Sequence, residues 1–206
     1  MNTKNATFYH LILDKSGSMS TNYDQTLSGL NEKFLAIKNI QKQNPEIPIY
    51  VSLTLFSSTA KTVFENRPAS ELPVMKARDY VLDGMTALCD AMGKVIKGMQ
   101  FHLGDYIAND GADAVVVVFT DGYENDSRHY SYAEIGGMVK ELQGTKKWEF
   151  TFYGADIDAW DTASKMNFHQ SNVYSSKAEE VKGTMRAMSL KLDNYVQVKK
   201  STIFKK

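Results

Sequence analysis

Phe8-Tyr9-His10-Leu11-Ile12-Leu13, followed at once by Asp14-Lys15-Ser16-Gly17-Ser18, is the stretch that decides how the rest of the chain is read. A short apolar run ending at a turn signal reads as a buried strand, here over residues 7–13. The turn behind it carries one carboxylate and two hydroxyls. All three are hard oxygen donors, the kind that a small divalent cation such as Mg²⁺ favours.

Two other segments follow the same logic. Ala114-Val115-Val116-Val117-Val118-Phe119-Thr120-Asp121-Gly122 is a second buried-strand pattern, and it too ends in a carboxylate. Asp83-Gly84-Met85-Thr86-Ala87-Leu88-Cys89-Asp90-Ala91 is a loop entering a helix, with the Thr86 hydroxyl at its mouth. The run from 114 is apolar at successive positions rather than alternate ones, which marks a strand buried on both faces.

Leu27, Leu30, Phe34 and Ile37 recur at helical spacing and predict a helix over about 23–43, ended by the Pro45 and Pro48 region. Residues 49–56 and 60–64 read as strands joined by Ser57-Ser58-Thr59, a loop short enough for a hairpin. A polar stretch through Pro68 and Pro73 follows, with a short helix expected at 75–81. Leu88, Ala91, Met92, Val95, Ile96 and Met99 line a helix that starts just after Thr86, and Gly104 to Asp113 reads as a polar loop. A helix at about 131–143, a strand at 148–153, a short helix at 158–166, an edge strand at 173–174 and a last helix at about 177–192 complete the pattern. Strands alternating with helices predict a doubly wound α/β architecture: a mostly parallel, six-stranded sheet covered by helices on both faces, with the 60–64 segment as an antiparallel edge strand. Asp14 and Asp121 then both stand at carboxyl ends of strands. If those strands are neighbours where the strand order reverses, the two carboxylates converge where such sheets collect ligands.

D-x-S-x-S, a lone Thr in a G-x-T loop and a hydrophobic strand ending T-D-G together resemble the metal-ion-dependent adhesion site of von Willebrand factor type A (VWA) domains. The pattern falls on Asp14, Ser16, Ser18, Thr86 and Asp121, and the order of elements suits one such domain over residues 1–206, with a core from about 5 to 195. The resemblance implies a Rossmann-like fold and a site for Mg²⁺, or Mn²⁺, whose remaining coordination position is filled by an acidic residue of a partner protein. Mg²⁺ takes about six oxygens, and only two of these five side chains are charged, so the ion stays incompletely neutralised and attracts that carboxylate. On this view Ser16 and Ser18 bind directly, Asp14 and Asp121 bind directly or through water, and Thr86 joins when the site opens. Family members of the integrin type resemble a switch of that kind, coupled to displacement of their last helix, here about 177–192.

Composition narrows the partners. Lys plus Arg and Asp plus Glu both number 24, so the formal charge is zero and nucleic acid is not an expected partner. Lys199, Lys200, Lys205 and Lys206 cluster at the end of the chain and read as solubilising residues. Cys89 has no second cysteine to pair with, no signal-peptide pattern opens the chain, and no apolar stretch approaches the roughly 20 residues that cross a bilayer. A cytoplasmic protein without a membrane partner is the expectation.

Simpler roles compete at each position. Asp14 with Ser16 and Ser18 also suits a strand end and a helix N-cap, and Asp121-Gly122 a plain turn. Asp90 suits stabilisation of a helix start or a bond to a ligand hydroxyl. Glu124 and Asp126 tune the site's charge or solvate a loop. Asp156 and Asp158 resemble part of a calcium loop but lack its Gly and Glu, and Asp158 is better placed as a helix cap. Cys89 falls among apolar helix positions, and His10, His102, His129 and His169 show no metal spacing, with His129 a candidate for the rim. Met19, Tyr23, Met85, Tyr123, Arg128 and Tyr130 are the residues expected around the site to select a partner. An enzyme is not expected. Asp14 as a phosphotransferase nucleophile would want D-x-D where position 16 is Ser, and no Ser-His-Asp set or P-loop is present. The rival to adhesive binding is a regulatory or assembly subunit that works with a separate ATPase, as cytosolic relatives of the magnesium-chelatase type do.

Overall fold

The computed structural model describes residues 3–109, 111–155, 157–177 and 180–204. The elements are β1 (Thr7–Asp14), α1 (Tyr23–Gln43), β2 (Ile49–Phe56), β3 (Ala60–Pro68), α2 (Leu88–Asn109), β4 (Asp113–Thr120), α3 (Tyr132–Gly144), β5 (Trp148–Ala155), α4 (Ala159–Lys165), β6 (Val173–Ser176) and α5 (Val181–Ile203). The strands form one six-stranded sheet in the order β3-β2-β1-β4-β5-β6. β3 runs antiparallel to β2 at one edge, and the other neighbours are parallel.

Two observations explain this arrangement. Every residue of β1, β2 and β4 is buried, as strands covered on both faces must be. Alternate residues of each strand then feed opposite cores. Phe8, Ile12, Val116, Val118, Phe150 and Phe152 pack with α2, α3 and α4, while Tyr9, Leu11, Leu13, Val115, Val117 and Phe119 pack with α1 and α5. The strand order reverses between β1 and β4, with Leu13 paired to Phe119. Asp14 closes β1, and Asp121 follows the last residue of β4.

Several expectations need correction. The helix predicted at 75–81 is a single 3₁₀ turn, Ala77–Asp79, followed by the fully buried Tyr80. The predicted loop from Gly104 is helical as far as Asn109, because Leu103 and Ile107 carry on the buried stripe at four-residue steps from Met99. The last helix runs to Ile203 rather than 192, with Val196 buried one turn beyond Leu192. Lys199 is not a solvent-facing lysine. Its ammonium lies 2.8 Å from the Asp113 carboxylate and donates to the Ala6 carbonyl oxygen at 2.8 Å, which pins α5 to the start of the sheet. Lys200 pairs with Glu46. Asp156, Lys205 and Lys206 lie outside the described residues. Cys89 is buried, as its apolar neighbours predict. No described helix is long and apolar enough to cross a membrane.

Lys33 on α1 is 1% exposed, with its ammonium 4.8 Å from the centroid of the Tyr9 ring and no hydrogen-bond acceptor among the described residues. A ring face favours the charged form weakly, whereas removal from water opposes it strongly. Burial prevails and pushes the ammonium pKa down to about 7. Between that value and the ordinary lysine value of about 10.4 the unfolded chain holds a proton that the native one does not, so stability rises with pH by up to about 1.4 kcal/mol per unit. Urea unfolding measured from about pH 7 to about pH 9.5 should show that rise against the curve of Lys33→Met, which removes the buried charge at similar volume and should be the more stable protein at neutral and lower pH.

Candidate metal centre

Asp14 is the floor of the site. It is fully buried, and its two oxygens face different chain segments: Oδ1 accepts the Ser16 N–H at 2.7 Å and Oδ2 accepts the Thr120 hydroxyl at 2.5 Å. Burial raises the carboxyl pKa to about 6, the hydrogen bonds from Thr120 and Ser16 pulling the other way and the nearby Asp121 charge adding to the rise. The backbone beneath is fixed as well, since the buried Tyr80 hydroxyl donates to the Asp14 carbonyl oxygen at 2.6 Å.

From Asp14 the donors run outward as a chain. Ser16 Oγ and Ser18 Oγ are 3.1 Å apart, and Ser18 Oγ donates to Asp121 Oδ1 at 2.6 Å. Thr120 shapes the next turn by accepting the Gly122 N–H at 3.0 Å. Gly122 admits the remaining hydroxyl: a Cβ there would stand 2.8 Å from Thr86 Oγ1 and 3.4 Å from Ser18 Oγ. Thr86 is itself 3% exposed. The structure therefore brings all five sequence-derived candidates to one place at the carboxyl ends of β1 and β4, beside the reversal of strand order.

Of the residues that hold these five, sequence reasoning named Asp90 and Glu124 without their partners and did not name Asn22 or Asn125. Asn22, 1% exposed, donates through Nδ2 to Asp121 Oδ2 at 3.0 Å, and among the described residues its own Oδ1 is enclosed without a partner. Asn just before a helix signals a cap, yet this side chain makes no capping bond to α1. Glu124 caps α2 from outside: its carboxylate accepts the N–H groups of Cys89, Asp126 and Ser127 and the Ser127 hydroxyl, all within 3.0 Å. Asp90 answers from the helix by accepting the N–H groups of Arg128, His129 and Tyr130, each at 2.9 Å. Between them, Thr86 and Asn125 exchange two bonds, Thr86 N–H to Asn125 Oδ1 at 2.8 Å and Asn125 N–H to the Thr86 carbonyl oxygen at 3.0 Å. Asp90 is thus an organiser of loop backbone, and Glu124 is neither a solvated loop residue nor a free charge. Asp158 caps α4 by accepting the Asp161 N–H, as its position predicts.

The expected rim is also revised. Met19 is fully buried in the core. Tyr23 stacks on Tyr80 with ring centroids 5.5 Å apart, and Tyr130 lies flat on α2, where a Cβ at Gly93 would come within 2.4 Å of its ring. Met85, Tyr123 and Arg128 remain exposed, with the Tyr123 hydroxyl accepting the Asp158 N–H at 3.0 Å. His129 is exposed beside them.

The donor set decides which ion would suit. Among the described residues no group of three or more His, Cys, Asp or Glu is placed to hold a metal, so an ion here would draw most of its donors from hydroxyls. Two carboxylates and three alcohols form a hard, oxygen-only set that fits Mg²⁺ or Mn²⁺.

No family model matches this chain, and no curated protein matches it. Solved structures do. The ArnB paralog VWA2 from Sulfolobus acidocaldarius superposes with a TM-score of 0.59 at 18% identity, covering 88% of this chain and 44% of that one. Proximal thread matrix protein 1 from the mussel byssus, with a zinc-occupied MIDAS motif, gives 0.60 at 13% identity, covering 93% and 46%. A von Willebrand factor type A protein from Catenulispora acidiphila gives 0.59 at 12% identity, covering 90% and 42%. The fold is that of a VWA domain. The chain spans less than half the length of each of these proteins, and at such identities the likeness speaks for the VWA fold alone.

Within this VWA fold the Glu124 clamp is predicted to matter for stability. Glu124→Ala strands three N–H groups at once, and unfolding in urea should show a loss of about 1–3 kcal/mol. Glu124→Gln, which keeps one acceptor oxygen, should lose less.

Proposed function

We propose that the chain is a divalent-metal-dependent protein-binding module, acting as one cytoplasmic domain, with Mg²⁺ (or Mn²⁺) held by Asp14, Ser16, Ser18, Thr86 and Asp121. The observation that carries this is the convergence of five oxygen-bearing side chains from three separate segments, around a fully buried carboxylate that, among the described residues, meets only neutral hydrogen-bond donors. A buried charge is costly unless paired or bound to a metal, and a cation supplies what the neutral donors do not. When bound, the ion would supply a Lewis-acidic positive centre with a coordination position left for an outside oxygen. A carboxylate from a partner protein is the ligand best matched to it, with the exposed Met85, Tyr123 and Arg128 contacting the residues around it.

An aspartyl-phosphate chemistry is poorly served by the same geometry. Asp14 has no exposed surface from which to attack a phosphoryl group in line, and position 16, where that chemistry wants a second Asp, is Ser.

Thermal unfolding tests the metal. An ion at a hundred times its dissociation constant adds about 2.7 kcal/mol to the stability of a protein that binds it only when native, so millimolar Mg²⁺ or Mn²⁺ should raise the Tm of the parent and leave that of Asp14→Ala unchanged. Equal rises in both would refute the site. The pH dependence follows from Asp14: with a carboxyl pKa near 6, binding below that value must expel a proton. Calorimetric affinity should therefore be flat above about pH 7 and weaken by up to about tenfold per unit as pH falls below about 6.

A further inference from the structure

We propose that Asp83 is a positioning residue for the metal site: it holds the Lys15 ammonium away from the cation-binding carboxylates and so keeps the affinity for the ion high. This rests on the metal-binding reading above.

Lys15 stands between two of the proposed ligands, Asp14 and Ser16, so its Cα is about 3.8 Å from each of theirs. A flexible side chain rooted there is long enough to be turned toward the carboxylates that would bind the ion, and a lysine ammonium near them competes with any cation. In the structure it is turned aside. Its side chain is 15% exposed, and Nζ donates to Asp83 Oδ1 at 2.5 Å. The same oxygen accepts the Ser57 hydroxyl at 2.5 Å, so the carboxylate is oriented from a third loop.

The loop that delivers Asp83 is fixed by its backbone. Asp83 N–H donates to the Lys15 carbonyl oxygen at 3.0 Å and Gly17 N–H to the Gly84 carbonyl oxygen at 3.2 Å. Gly84 has φ +63°, and a Cβ there would meet Ser58 Oγ at 2.8 Å; the same hydroxyl accepts the Met85 N–H at 3.0 Å. Thr86 is therefore presented by main-chain bonds that do not need the Asp83 charge. The ion pair adds little to stability either, because the Asp83 side chain is 62% exposed and such pairs are weak in water. What the carboxylate does alone is fix where a positive charge sits, one residue from the metal ligands.

Calorimetric titration of the whole chain with Mg²⁺ and with Mn²⁺ tests this on four proteins: the parent, Asp83→Asn, Lys15→Met and the double variant. Asp83→Asn should weaken binding about tenfold, since a freed unit charge then opposes a divalent ion at short range. Lys15→Met should bind at least as tightly as the parent, and the double variant should match Lys15→Met to within about threefold. Equal weakening by Asp83→Asn with and without Lys15 would overturn the proposal, because Asp83 would then act through its loop. So would an unchanged affinity in Asp83→Asn, even with a lower Tm in the metal-free protein, since that is a structural role only. A parent that takes up neither ion would refute the metal reading itself, a result distinct from a parent that binds while all variants behave alike.

Discussion

A carboxylate sealed at the end of the central strand is the constraint on which the rest of the structure depends. Asp14 ends β1 between two buried strands, where a charge is expensive and where burial outweighs its hydrogen bonds and raises its pKa to about 6. It survives there because β4, the neighbouring strand, ends in Thr120, whose hydroxyl reaches across to it. The doubly wound order makes those two strands adjacent, and each ends in the same direction. The Thr120 hydroxyl links the two tasks, since it also accepts the Gly122 N–H and so aims the turn that presents Asp121.

The carboxylates around the site divide by use. Asp14 and Asp121 face the hydroxyls, Asp90 and Glu124 bind backbone and hold the loops, and Asp83 binds the Lys15 ammonium. Glu124 and Asp90 cross-link the start of α2 to residues 126–130, and Asn125 bonds Thr86 on both its polar backbone groups. Thr86 is consequently tied to the loop that follows Asp121. The Gly17–Asn22 turn meets these segments through side-chain bonds from Ser18 and Asn22 to Asp121 and through the Gly17 contact with Gly84. Separating Thr86 from the loop after Asp121 would break several charge-assisted bonds together, whereas the Ser18 seam has fewer.

β1 and β4 were legible because both-face burial leaves nearly uninterrupted apolar runs, and α1 because Leu27, Leu30, Phe34 and Ile37 repeat without a break. The ends of α2 and α5 were not. Gly104 reads as a stop although it sits in helix, and Lys199 reads as surface although its ammonium is drawn inward by Asp113, a residue on another element. The same distinction governs the site. The five oxygen donors declare themselves by chemistry and local spacing. The roles of Asp90 and Asn22, and the bond of Glu124 to Cys89, depend on partners 35 to 99 residues away in the chain, which no local pattern encodes. Met19 failed as a rim residue for a related reason: its place in the turn suggests exposure, but the turn folds it under the site into the core shared with α1.

On the proposed metal-binding reading, Asn22 also bears on why the site would not complete itself. Its amide holds the second oxygen of Asp121 by donating a hydrogen bond, a task that a neutral group performs without adding negative charge. An aspartate at that position would face Asp121 with like charge and, with an ion present, would bring a third carboxylate to the site. On the proposed reading, two carboxylates and neutral alcohols leave the electrostatic demand of a divalent ion largely unmet from within the chain. The demand would then be met from outside, which would suit such a site to binding a partner instead of storing a metal.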